Sequence, residues 1–272
     1  MVTDKRIVLW CGGAPNQKAL AVKIAQGFPL SGIVIDERSG ASSKKKISKL
    51  PSLIWDRLRF RMIYGSWKKL QQYYGQNFPS WPDLPVLRVP DINDDATAAF
   101  TQKLQPHLIV VSGTALVRAN LLSTEAPVGI INLHTGLSPY VKGGPNCTNW
   151  CIANNDWHLV GNTIMWLNKG IDSGDIIASE YVDIRDRGNL FEAQKKVMEQ
   201  AHDLYLRAID YVLSTEPPYN AVPQRSLGEG RLFLTKMWNQ AERKKLLKNW
   251  TSRRSYGETK PPITVALPAQ SR

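Results

Sequence analysis

Three things are scarce in this 272-residue chain: cysteine, long apolar runs and internal repeats. Three cysteines (Cys11, Cys147, Cys151) are too few for a disulfide framework, so they read as reduced, buried thiols. Cys147 and Cys151 lie four apart with no His or Cys partner nearby, a poor zinc set, and no metal is expected. No apolar run approaches the roughly 18–20 residues of a membrane span. Met1 to Gly13 has a charged start and only the short run IVLW, which is too brief for a signal peptide. These shortages together point to a cytoplasmic protein. What is present, 43% hydrophobic and 21% charged residues, excludes wholesale disorder and suffices for a sizeable core.

Positive charge is abundant: 35 Lys and Arg against 23 Asp and Glu give a formal +12. It is not spread evenly. Residues 37–74 carry a net +8 and residues 231–260 a net +7, which leaves −3 for everything else. A slightly acidic body therefore carries two basic islands, each to be explained separately.

Ile7-Val8-Leu9-Trp10-Cys11 before Gly12-Gly13 reads as a buried strand ending in a glycine turn, with a helix over Asn16–Gly27 and a second strand at 32–36. This is the start of an open α/β sheet, in which ligands approach the carboxyl ends of the strands. Residues 37–85 interrupt the rhythm with a linker-like SGASSKKK and then a basic helical stretch with large apolar residues at Trp55, Leu58, Phe60, Met62, Ile63, Trp67 and Leu70. Alternation resumes with strands at 86–89 and 108–111, helices near 93–104 and 117–123, and a central strand, Gly129–His134. A helix over 145–154 and strands near 160–167 and 176–183 follow. A long helix over 189–213 is capped by Asn189 and has Leu190, Ala193, Val197, Ala201, Leu204, Ala208 and Val212 on one face. The remainder suggests a strand at 231–235, a basic helix near 238–249 and a proline-containing tail. The expected organisation is a catalytic unit over 1–184, with its insertion at 37–85, and a short, mainly helical appendage over 185–272.

Asn132 and His134 are alternate residues at the carboxyl end of an otherwise apolar strand, so they project to one face. Asp172, in the tight loop Gly170-Ile171-Asp172-Ser173-Gly174, offers a carboxylate to the same sheet edge. Taken alone, Asn-x-His is a polar strand cap and Asp-x-Gly a surface turn. Together they supply a carboxamide, an imidazole and a carboxylate for one site.

The pattern Asn132-x-His134-Thr-Gly-Leu-Ser-Pro139-x-x-x-Gly143, with Asp172-x-Gly174-x-Ile176 thirty-eight residues after the histidine, resembles that of the 10-formyltetrahydrofolate-dependent formyltransferases. The resemblance covers roughly residues 6–184. Gly136-Leu137-Ser138 departs from the family's usual Ser-Leu-Leu. It implies the formyltransferase fold, an open, mostly parallel Rossmann-like sheet, with Asn132, His134 and Asp172 as the catalytic set. Formyl folate would be held by the loop carrying Ala115, Leu116 and Val117 and by Lys169, Gly170 and Ile171. Leu116 and Val117 would line the pterin slot; on composition alone they are ordinary helix-start residues.

The resemblance leaves the acceptor amine open. Family members that act on methionyl-tRNA carry a C-terminal barrel, which the residues after 184 do not suggest, so no tRNA is expected. Glycinamide ribonucleotide, another small amine and a peptide amine are alternatives. The preferred acceptor is a nucleotide-linked amino sugar, because Pro145-Asn146-Cys-Thr-Asn149-Trp150-x-Ile-x-Asn154-Asn155-Asp156, followed by Gly161-x-Thr163, is similar to the sugar N-formyltransferases, with Asn155-Asp156 departing from their Gly-Glu. Gly12, Gly13 and Asn16, at a helix start, and Asn146 are the expected substrate contacts. A homodimer is compatible with the sequence. The basic stretch 44–70 reads either as a solvated, packed helix or as an amphipathic helix for an anionic membrane or acidic partner. A non-catalytic folate- or nucleotide-binding module is the reading of another class; the joint presence of Asn132, His134 and Asp172 argues against it.

Overall fold

The computed structural model describes residues 4–40, 50–144, 146–257 and 262–268. Five strands, β1 (Ile7–Gly12), β2 (Leu30–Asp36), β3 (Val86–Val89), β4 (Leu108–Ser112) and β5 (Gly129–His134), run parallel. Two more, β7 (Gly161–Trp166) and β8 (Ile176–Tyr181), extend the sheet antiparallel, in the order β3-β2-β1-β4-β5-β7-β8. Parallel strands buried on both faces need near-continuous apolar sequence, which IVLWC, GIVI and LIVV supply.

The pleat divides each strand between two cores. Ile7, Leu9 and Cys11 face one side, where α1 (Pro15–Gly27) and α7 (Leu190–Ser214) pack. Val8 and Trp10 face the other, where Val117 and Leu121 close the opposite core beside α4 (Asp95–Leu104) and α5 (Ala119–Leu122). β1 is the switch strand, since β2 lies on one side of it and β4 on the other. Loops leaving its carboxyl end and those of β4 and β5 therefore frame the crevice where α/β sheets bind ligands.

The insertion forms two helices, α2 (Leu50–Arg59) and α3 (Arg61–Asn77). Phe60, Ile63 and Leu70 are buried as the helical spacing suggests, and α3 lies against α1 and α7. Trp55 and Leu58 are not packed: they are 68% and 60% exposed, because the side of α2 that docks carries Asp56 and Phe60 instead. Residues 44–49 of the basic stretch lie outside the described residues.

The stretch after 184, expected as an appendage, is woven into the body. Asn189 caps α7 by accepting the Glu192 N–H at 3.0 Å, and Glu192 returns a carboxylate to the Asn189 amide at 2.8 Å. Ala201, Leu204, Tyr205, Ala208 and Val212 of α7 are part of the main core. β9 (Arg231–Phe233) pairs parallel with β6 (Val141–Gly143), a short strand in the loop after β5. α8 (Gln240–Ser252) packs on α6 (Cys147–Asn154), and the Asn249 amide donates to the carbonyls of Ile152 and Ala153, both at 3.0 Å. Carbonyls in the last turn of α6 thus find a donor nearly a hundred residues away.

Candidate active site

The last rungs of β5 bring the polar pair to the sheet edge. Asn132 is half-buried and His134 is 7% exposed. The loop between β7 and β8 carries Asp172 to them. Its Oδ2 lies 3.4 Å from His134 Nδ1 and accepts the Gly143 N–H at 2.8 Å, while its Oδ1 meets the Asn132 amide at 3.5 Å. Reaching this position puts Asp172 at φ +45°, a left-handed conformation that costs a non-glycine residue free energy. The glycine two residues on is required by close approach: a Cβ on Gly174 would lie 1.7 Å from the Trp166 carbonyl oxygen.

His134 is engaged at both ring nitrogens. Nε2 donates to the Val141 carbonyl at 2.9 Å and stands 3.7 Å from Cys147 Sγ; Nδ1 faces the Asp172 carboxylate. A neutral ring with its proton on Nε2 would turn an Nδ1 lone pair toward a carboxylate, whereas an imidazolium satisfies both partners. Burial is the largest single influence and works against the charged ring. The Asp172 charge, with Cys147 and the Val141 carbonyl, outweighs it and raises the imidazole from 6.5 to about 10.

Gly136 is required by close approach. A Cβ there would lie 2.5 Å from His134 Nε2 and 3.1 Å from Cys147 Cβ. The ring edge and the Val141 carbonyl oxygen, 3.0 Å away, fill the space in which the family's usual serine would stand. Cys147 Sγ also donates to the Gly143 carbonyl at 3.4 Å, so the thiol, histidine, aspartate and Gly143 form one connected group.

Two residues from far along the chain hold this group in place. The buried Gln224 amide donates to the carbonyls of Asp172 (2.9 Å) and Gly174 (2.8 Å), pinning both ends of the strained turn. The Tyr205 hydroxyl, fully buried on α7, sits between β4 and β5. It accepts from the Val111 N–H (2.8 Å) and lies 2.9 Å from the Ile131 carbonyl and 3.0 Å from that of Val111. With Val111 opposite Asn132 in register, the phenol ties the two strands together just before the site asparagine.

The remaining expected residues do not all behave alike. Leu116 (53% exposed) and Ile171 (39%) present apolar side chains at the sheet's carboxyl edge. Val117 does not line an open slot: it is buried in the core of α5, because the loop turns inward there. The Ala115 N–H is bound by Asp36 Oδ2 at 2.9 Å, and the Leu116 carbonyl by the Asn93 amide at 3.0 Å. Lys169 and Gly170 are exposed, and the Gly170 N–H donates to Asn168 within its own loop at 3.0 Å. Gly12 ends β1 buried and Gly13 is exposed. Asn16 is buried in the first turn of α1, donating to Met198 Sδ at 3.7 Å, with its Oδ1 lacking a partner among the described residues. Asn146 caps α6, accepting the Asn149 N–H at 3.2 Å in a left-handed conformation, so its carbonyl oxygen is already committed.

Gln224, Tyr205 and the site role of Cys147 are absent from the sequence reading. Gln224 and Tyr205 stand in no motif.

The fold and the site define a class. Residues 80–209 match the family described as formyl transferase. It is similar to the methionyl-tRNA formyltransferase of Syntrophus aciditrophicus, 31% identical over 137 residues, covering 50% of this chain and 43% of that protein. The chain thus spans less than half the length of the curated relatives it matches. Among solved structures, the N-formyltransferase of Helicobacter canadensis in complex with folinic acid and dTDP-3-aminofucose superposes with TM-score 0.55 at 12% identity, over 97% of this chain and 84% of that one. Glycinamide ribonucleotide transformylase 1 of Symbiobacterium toebii gives 0.54 at 16%, over 80% and 93%. At such identities the two structures establish the shared fold.

Proposed function

We propose that this protein transfers the formyl group of 10-formyltetrahydrofolate to a primary amine, with a nucleotide-linked amino sugar as the acceptor. The observation that carries the reading is the convergence of Asn132, His134 and Asp172 on one edge of the sheet. The amine nitrogen attacks the formyl carbon, the carbonyl electrons move to oxygen, and the N10–carbon bond then breaks. One proton passes from the amine to N10, so the products are a formamide and tetrahydrofolate. The Asn132 amide donates to the developing oxyanion, an interaction worth about 3–4 kcal/mol in comparable sites. His134, charged and held at both nitrogens, stabilises that oxyanion electrostatically and keeps Asp172 in its strained position. Asp172, between the asparagine and the imidazolium, is the group placed to pass the amine proton onward. Leu116 and Ile171 suit the flat pterin ring through apolar contact, while Gly12, Gly13 and Asn16 are the candidate acceptor contacts at the neighbouring switch strand.

Two things support the amino-sugar acceptor: the Pro145-to-Asn154 sequence pattern, and a superposition that extends over the C-terminal stretch in a protein solved with a nucleotide-linked amino sugar. The competing acceptor is methionyl-tRNA, which the curated relatives name. That similarity covers half of this chain, and it bears on the shared formyl-transfer half more than on acceptor choice. Three buried thiols suit the reducing cytoplasm, where this activity is placed. The test is to incubate the protein with formyl folate and separate panels of amino-sugar nucleotides, glycinamide ribonucleotide and aminoacyl-tRNA. Formylation confined to either of the last two removes the amino-sugar reading. Folate binding without transfer to any amine leaves a non-catalytic module.

A further inference from the structure

On α2 the usual arrangement of an amphipathic helix is reversed. With about 100° per residue, Ile54, Leu58 and Trp55 fall within one arc of about 100°, flanked on its two sides by Arg57 and Arg59. Asp56 and Phe60 occupy the opposite side, where Phe60 enters a core and Asp56 binds Arg243 of α8 at 3.1 Å. The apolar arc therefore points into solvent: Ile54 is 53% exposed, Trp55 68% and Leu58 60%. Arg61, at the start of α3, adds a third exposed cation to its border. Asp56 is the sole acidic residue of α2, and the Arg243 guanidinium takes up its charge.

Nothing on the catalytic side of the molecule requires this patch. A convex apolar ridge with cations on both flanks lacks the shape of a small-molecule site, which is concave. What it matches is an anionic lipid surface, where apolar side chains enter the acyl boundary and arginines remain among the phosphates. We propose that the exposed face of α2, led by Ile54, Trp55 and Leu58 with Arg57, Arg59 and Arg61, docks this protein onto an anionic membrane surface. This is independent of which amine the site formylates.

The test is co-sedimentation of the full chain with phosphatidylcholine vesicles, with and without about 30% phosphatidylglycerol, at low and high salt. Binding confined to the anionic vesicles, and weakened by salt, is expected. Trp55→Ser with Leu58→Ser should lower the partition coefficient at least about tenfold, since both remove buried apolar area from the bound state. Arg57→Gln, Arg59→Gln and Arg61→Gln should each lower it by about fivefold. The melting temperature should stay unchanged, because these side chains are exposed in the folded protein. Equal partition into both vesicle types, no partition into either, or an unchanged partition of the double variant overturns the proposal. So does a dimer in sedimentation velocity that the double variant dissociates, which would make α2 a contact between two copies of this chain.

Discussion

Two buried histidines, one at each side of the α1–α7 layer, are driven in opposite directions. His134, at the end of β5, is raised from 6.5 to about 10; His202, on α7, is lowered from 6.5 to about 3. Burial is the first influence on both, and in both it disfavours the charged ring. The difference lies in what faces them. His134 meets the Asp172 carboxylate, with no cation beside it among the described residues. At His202 the nearest charge is the Lys23 ammonium, 3.4 Å from Nδ1, and the Glu199 carboxylate is already bound by Lys23 and Tyr74, both at 2.7 Å. The same residue type at the same depth thus becomes a charged element of a polar site in one place and a neutral core residue in the other. Depth alone does not assign a histidine its role; the sign of the nearest uncompensated charge does.

The strongest way to break this comparison is Asp172→Asn. Without the carboxylate, burial should leave His134 neutral at pH 7, and kcat for formyl transfer should fall by about 10²–10⁴-fold. Nuclear magnetic resonance titration of the ring, beside steady-state kinetics, would check both effects; an imidazole still charged at pH 7 would contradict the assignment.

Stability against pH sharpens it further. His134 has a raised folded value, so its contribution is complete below about 6.5 and is lost as pH climbs through about 10. His202 stays neutral when folded while the unfolded ring takes a proton, so stability is lost as pH falls from about 6.5 toward about 3. Thermal melts should therefore peak near the ordinary histidine value, each limb amounting to a few kcal/mol at most at about 1.4 kcal/mol per displaced unit. His202→Asn should flatten the acid limb and leave the alkaline one in place.

Tyr205→Phe is a smaller perturbation, aimed at the His134 side. It removes the hydroxyl that the Val111 N–H and the Ile131 carbonyl share, with an expected loss of about 1–3 kcal/mol in stability. If the phenol positions Asn132, kcat should also drop by roughly tenfold with KM for formyl folate unchanged. A stability loss with unaltered kcat would make Tyr205 purely structural. The smallest effect belongs to the His202 side. Glu199→Gln should cost about 1 kcal/mol, the range of a half-exposed ion pair, and leave turnover unaltered.

Much of the architecture was legible in sequence because its signals are local. Apolar runs of four to six residues marked β1, β2 and β4, and the period of 3.6 with an asparagine cap marked α7. The Asn132, His134 and Asp172 set was legible for a different reason: it rests on two short motifs whose order and spacing match a family. The failures share a physical cause. Val117 and Leu116 are adjacent in sequence and of one chemical kind, yet one is in the core and the other in solvent. The helical spacing of Trp55 and Leu58 was read correctly, but which face of α2 docks depends on Asp56 meeting Arg243, 187 residues away. The second basic island is similar in composition to the first. There Arg243 is drawn inward to Asp56, and the exposed Arg231 pairs with Asp156.

By itself, then, the sequence determined the order of strands and helices, a family resemblance and the three polar groups that meet at the sheet edge, since periodicity and motif are written in neighbouring residues. Only the tertiary structure decided that His134 is charged, that Cys147 belongs to its surroundings, that Gln224 and Tyr205 hold the site in register, and that an apolar arc of α2 faces outward. Each of these depends on which groups remain close once water is excluded. Electrostatic and hydrogen-bond partners are chosen by packing across tens to hundreds of residues, and no local pattern encodes that choice.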